Sequence, residues 1–207
     1  MQKFLLFSIF ILLSSSLLSD VIQGPYYLDN ANIDRDPITD IALPTGFEAT
    51  VFADVDGYAR HIAVRDDGTV YLALTVRMGR GSNMGIVAMQ DTDNDGTADI
   101  IESFATHIPG TALQFYDNYL YFGSKTAIYR FEFEGDNILP IGDPEIVVDG
   151  FPEQGRHEAK TFAIDDQDNL FVNVGTPSNS CAEEFRTIDS PGMDPCPHLE
   201  IQSGVWK

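Results

Sequence analysis

Residues 91–102, Asp-Thr-Asp-Asn-Asp-Gly-Thr-Ala-Asp-Ile-Ile-Glu, place oxygen ligands at the spacing a calcium loop requires. Asp91, Asp93 and Asp95 alternate along the chain, Gly96 permits the sharp turn that folds them inward, and Asp99 and Glu102 follow at the ninth and twelfth places. Hard carboxylate oxygens converging in this way suit a hard divalent cation, so calcium is the metal this loop predicts. The residues before it, Gly85 to Gln90, alternate as a strand does, which makes this a calcium loop inside a sheet and not an EF-hand. A solvated acidic turn is the competing reading. Cys181 and Cys196 are the two cysteines of the chain. A structural zinc site needs about four N or S ligands, and beyond His198 no fourth is at hand. The glycines of residues 79–85 do not open a helix, whose N-terminus a phosphate or dinucleotide site needs. They read as a loop in which Arg77 and Arg80 are available to an anionic ligand. No G-x-S-x-G elbow is present.

These residues must be carried by strands. The segments 61–74, 112–123 and 161–175 each read as two alternating apolar runs around a tight turn, Asp67-Gly68, Asp117-Asn118 and Asp168-Asn169. Asp, Asn and Gly tolerate the positive φ of such hairpins. Gly68, Asn118 and Asn169 recur at intervals of about fifty residues, a period typical of propeller blades. Further short strands fall at Gly85 to Gln90, 127–134 and 145–149, and no apolar pattern of helical period persists. The fold class is therefore all-β, a β-propeller, with a β-sandwich as the rival reading. At this period the chain holds about three to four blades, fewer than most closed propellers, so the sequence reads as a partial propeller truncated at its C-terminus.

Composition narrows the partners. Asp and Glu number 32 against 12 Lys and Arg, a net charge of −20, and this field repels nucleic acid and anionic membranes. With 43% hydrophobic residues the chain has enough apolar surface for a packed core. Residues 1–19 run from Lys3 through an apolar stretch to a serine-rich segment, the order of a secretory signal peptide. The apolar stretch falls short of the roughly 20 residues of a spanning helix, so a retained anchor is the weaker alternative. Residues 20–42 form a lead-in and 43–207 the partial propeller. The expected location is secreted or periplasmic, with no stable membrane insertion after cleavage. In that compartment Cys181 and Cys196 form a disulfide.

Residues 155–165 (Gly-Arg-His-Glu-Ala-Lys-Thr-Phe-Ala-Ile-Asp), 174–181, 190–196 and Gly204-Val205-Trp206, together with Leu43-Pro44-Thr45-Gly46-Phe47-Glu48 and Ala59-Arg60-His61, resemble the glucose/sorbosone dehydrogenase family. The resemblance spans residues 43–207, about the first half of a family member. It implies a six-bladed, exported quinoprotein, of which some members oxidise sugars with pyrroloquinoline quinone (PQQ) and calcium. It also implies that His157 is the base taking the proton of the sugar hydroxyl, a task an imidazole with an unperturbed pKa of about 6.5 performs well. The implied partners are a small sugar-like substrate and an external electron acceptor. Three departures stand out. Arg156 occupies the place of an acidic residue, residues 108–112 lack the family's glutamine-bearing loop, and the arginines that clamp the cofactor, with the calcium ligands beside it, belong largely to the other half. His61, at the equivalent entrance of the first hairpin, reads as structural, with lining the same central funnel as His157 the alternative, and His107 as a loop residue. The rival functions are a non-catalytic carbohydrate- or protein-binding propeller and a calcium-dependent lactonase-type propeller.

Overall fold

The computed structural model describes residues 2–7, 33–35, 41–76 and 83–207. The rest of the predicted leader and lead-in, and Arg77 and Arg80, lie outside the described residues. The chain is all-β. Its strands in order are β1 Gln2–Phe7, β2 Ile33–Arg35, β3 Ala42–Pro44, β4 Ala49–Val55, β5 Tyr58–Val64, β6 Val70–Thr75, β7 Gly85–Gln90 and β8 Ile100–Phe104. There follow β9 Gly110–Tyr116, β10 Tyr119–Ser124, β11 Ile128–Glu132, β12 Ile141–Val148, β13 Thr161–Ile164, β14 Leu170–Val174 and β15 Gly204–Trp206. β5-β6-β7-β8 form one four-stranded antiparallel sheet and β9-β10-β11-β12 a second; β13-β14-β15 form a three-stranded third. β1 pairs with β4, inside the predicted leader, and β2 with β3.

The three sheets stack as blades because their middle strands are apolar on both faces. In β6, Tyr71 and Ala73 turn toward the second blade and join Leu113, Leu120, Phe122 and Phe131 in one core cluster. Val70, Leu72 and Leu74 turn the other way and pack with Val87 and Met89 against Phe52, Ala53 and Val55 of β4. A further cluster joins Tyr121 and Ile128 to Val172 and Val174 of the third blade. A strand buried on both faces loses the polar alternation of a half-exposed one, which is why residues 70–74 read as a continuous apolar run. Burying each such side chain contributes on the order of 1.5–3 kcal/mol. The outer strands β8 and β12 and the inner strand β5 are mostly exposed.

The hairpin turns follow the sequence with one shift. Gly68, Asp117 and Asn118 have positive φ, but in the third hairpin Asp168 does and Asn169 does not. Asn169 instead donates its backbone N–H to Asp165 Oδ1 at 2.8 Å and its side-chain amide to Oδ2 at 2.9 Å, which closes the turn from the other side. The inner strands are linked by side chains. His61 Nδ1 accepts the Leu113 N–H at 3.2 Å, joining β5 to β9, and Gln114 Oε1 accepts the Ile164 N–H at 3.2 Å, joining β9 to β13. This bond gives His61 a structural role, the reading the sequence favours over lining the central funnel. Gly123 sits where a Cβ would run into the Lys160 carbonyl, so the second and third blades approach at backbone distance.

Candidate functional site

Strand register gives the stack two ends. Tyr58 pairs with Thr75 at the upper end and Val64 with Val70 at the lower; Gly123 and Ala112 mark the upper end of the second blade. His157 lies at the upper end, four residues before β13, in a left-handed conformation with φ +48°. Its Nδ1 is 2.7 Å from the Thr176 carbonyl oxygen. A carbonyl only accepts, so Nδ1 carries a proton, and the neutral imidazole in this arrangement has its lone pair on Nε2. That is the tautomer a general base needs. The turn is tied from behind by Gln154 Nε2, which donates to the carbonyls of Arg156 at 2.8 Å and His157 at 3.1 Å.

Gly175 makes the approach possible. A Cβ there would strike the His157 carbonyl oxygen and lie 2.9 Å from the His157 Cβ. Lys160, fully buried, donates from Nζ to the Glu158 carbonyl at 2.8 Å. Burial lowers its pKa from the ordinary value, and nearby Glu158 offsets part of that. Exposed His157 faces an open cavity of about 270 Å³ walled also by Tyr58, Arg60, Thr111, Lys125 and Glu158. Lys125 pairs with Glu158 at 2.7 Å. Arg60 lies over the Tyr58 ring, 5.6 Å from its centroid, and makes no ion pair among the described residues. The pocket thus keeps spare positive charge in a chain of net charge −20.

The carboxylate loop lies at the opposite end. It joins β7 to β8 below the Gln90–Ile100 pair and packs on β4, where the Ala98 N–H donates to Phe52 O at 2.8 Å. Asp91, Asp93 and Asp99 each offer a carboxylate oxygen within 4.8 Å of the others. Asp95 and Glu102 do not join them. Asp95 Oδ1 accepts the Thr97 N–H at 2.8 Å, and Glu102 is paired with Ala88 in the middle of β8. In an EF-hand a helix brings the twelfth residue back over the ion; here the chain leaves as an extended strand that carries Glu102 away. The hydroxyl and N–H of Thr92 bond to Asp99 and hold its pKa below the usual carboxylate value.

Cys181 and Cys196 form a disulfide, with Cα atoms 6.0 Å apart. Inside the loop it closes, Phe185 meets the His157 ring at a centroid distance of 6.2 Å. His107 is exposed. No helix among the described residues is long and apolar enough to cross a membrane. Sequence reasoning singles out His157 but not its partner Thr176, which bonds to it through a backbone carbonyl and so leaves no side-chain signature. Gly175, standing just before Thr176-Pro177, is the one signal that a close approach occurs there.

No family model matches the chain, and no curated protein does. Solved structures do. The calcium and iodide structures of Trichoderma reesei Carbohydrate-Active Enzymes Family AA12 each match with a TM-score of 0.50 at 15% identity over 62% of this chain. The holo form of the pyranose dehydrogenase PQQ domain from Coprinopsis cinerea matches with a TM-score of 0.48 at 16% identity over 59% of this chain. The chain spans about a third of the length of these proteins, 32%, 33% and 29% respectively. At such identity the AA12 match concerns architecture, and it agrees with the stacked antiparallel blades: the chain has an all-β fold consistent with an incomplete propeller.

Proposed function

We propose that the chain is part of an exported, quinone-dependent oxidoreductase that oxidises a sugar or a related polyol or aldehyde, with His157 as the base. The observation that carries this reading is the bond from His157 Nδ1 to the Thr176 carbonyl, at a residue that lines an open cavity, because the neutral tautomer it selects has its lone pair on Nε2. Thr176 takes the orienting part for which Arg156, in the place of the family's acidic residue, is unsuited. The sequence resemblance and the fold shared with a carbohydrate-active enzyme support the substrate class, and the leader sequence and cysteine pair support export.

The residues present suit a carboxylate-bearing cofactor such as PQQ. Arg60 has no anionic partner among the described residues, and Lys125 can exchange Glu158 for a carboxylate of the cofactor, so these two would hold it. Bound there, PQQ would supply the hydride acceptor. The protein's share is proton chemistry and placement. His157 Nε2 accepts the proton of the substrate hydroxyl, and the imidazolium so formed keeps its Nδ1–H on Thr176 O. Thr111 offers a hydroxyl along the same wall for orienting a polyol.

Calcium at Asp91, Asp93 and Asp99 would act differently. At the far end of the first blade it neutralises carboxylates and ties the loop to β4, which is a stabilising role away from the chemistry. The test is dye-linked aldose oxidation by the full-length protein reconstituted with PQQ and calcium. Activity lost in His157→Ala supports the reading. Sugar binding without oxidation identifies a binding propeller, and hydrolysis of lactones without oxidation identifies a lactonase; either overturns it.

A further inference from the structure

His157 is gripped at two points. The bond to Thr176 O fixes one ring atom, but a single hydrogen bond still lets the imidazole rock about its Cα–Cβ and Cβ–Cγ bonds. The second contact removes that freedom: the Phe185 ring meets the imidazole at 6.2 Å between centroids, inclined by 58°. Phe185 is itself held. The Arg156 guanidinium lies 3.6 Å from its centroid and the Arg186 guanidinium 5.1 Å. Arg156 and His157 are neighbours in sequence, so the aromatic ring rests on two successive side chains of the catalytic turn.

The loop that presents Phe185 is closed on itself. Cys181–Cys196 joins its ends, the Glu183 N–H donates to Pro191 O at 3.0 Å, and the Met193 N–H donates to Cys181 O at 3.0 Å. Ala182 and Gly192 form a bridge. A loop this tied has little conformational freedom left to lose when its tip docks. Arg156, which replaces the acidic residue expected beside the base, thereby gains a use as the platform on which that tip sits.

We propose that Phe185 is a positioning residue for His157, docked by the disulfide-closed loop 181–196 and by Arg156 so that the imidazole keeps the plane in which Nε2 faces the cavity. The catalytic consequence rests on the oxidoreductase reading, whereas the ring geometry does not. The test compares wild type, Phe185→Ala and Phe185→Tyr in the full chain by two readouts. Long-range ¹⁵N NMR of His157 reports its tautomer, and dye-linked oxidation separates kcat from KM. The expected result is a single Nδ1–H tautomer in wild type, a mixture in Phe185→Ala with kcat lowered at least tenfold and KM little changed, and recovery of both in Phe185→Tyr. If Phe185→Ala does not fold, Phe185→Leu, which keeps the bulk and loses the ring, is expected to mix the tautomers alike. An unchanged tautomer in a folded Phe185→Ala or Phe185→Leu protein overturns the proposal. Should wild type oxidise nothing, the NMR result still decides the positioning role while the functional reading alone fails.

Discussion

The two ends of the blade stack are built from the same strands and treat their polar groups in opposite ways. At the lower end, side chains tie neighbouring strands and blades to one another. Arg65 pairs with Asp67 and donates to Asn137 O at 2.8 Å, Tyr71 Oη donates to Ile138 O at 3.0 Å, and Tyr116 donates to Asp168 across two blades. That last bond pushes the Tyr116 pKa up to about 12. At the upper end His157 has a left-handed backbone, Arg60 lacks an anionic partner among the described residues, and Gln154 Oε1 and Ser178 Oγ are buried without a hydrogen bond, as Thr69 Oγ1 is at the lower end. One end holds the blades in register; the other leaves donors, acceptors and charge for a ligand.

Breaking the upper end should cost activity and leave the fold. His157→Ala is expected to lower aldose oxidation by about 10²–10⁴-fold, the usual worth of a general base, with a melting temperature close to wild type. Steady-state kinetics and thermal unfolding on the same preparation check it. Gly175→Ala sharpens the contrast, because its new methyl group must displace His157: destabilisation of about 1–3 kcal/mol together with loss of oxidation is expected. Full activity in that variant would mean that the close approach does not matter.

Changes at the lower end should reverse the pattern. Calcium is expected to raise the melting temperature of wild type and to leave Asp93→Ala unmoved, with oxidation retained in both; calorimetric titration reads the uptake directly. Smallest is the Arg65–Asp67 pair. The hydrogen bond from Arg65 lowers the Asp67 pKa from 3.8 to about 2. Since the folded value is the depressed one, the contribution is present above pH 3.8 and fades as pH falls toward 2. Asp67→Asn should therefore melt slightly earlier than wild type at pH 7, by under about 1 kcal/mol for so solvated a pair, with the gap closing as pH falls through about 2.

How much of this the sequence discloses depends on whether a feature is written in side chains. Two-faced middle strands and Asp-Gly or Asp-Asn turns are periodic and local, so the hairpins at 61–74, 112–123 and 161–175 emerge almost residue by residue. Ile141–Val148 is harder to see, because an outer strand exposed along most of its length carries little apolar pattern and its start escapes notice. In the carboxylate loop the twelve-residue spacing presumes a helical exit, whereas here a strand carries Glu102 away from the cluster of Asp91, Asp93 and Asp99. The orientation of His157 depends on the backbone of Thr176 and on Phe185 from an irregular loop, neither of which any spacing rule reaches.

The bonds from His61 to Leu113 and from Gln114 to Ile164 bear on how freely such blades can be exchanged. Each inner strand supplies a side chain cut to the backbone of the next, so neighbours are matched as a lock is to its own key. Duplicating the second blade, or grafting in a foreign one, would set an unmatched amide against the wrong side chain unless His61 or Gln114 travelled with it. Recombination within this architecture should therefore succeed at cuts that keep each inner strand with the residue that reads it.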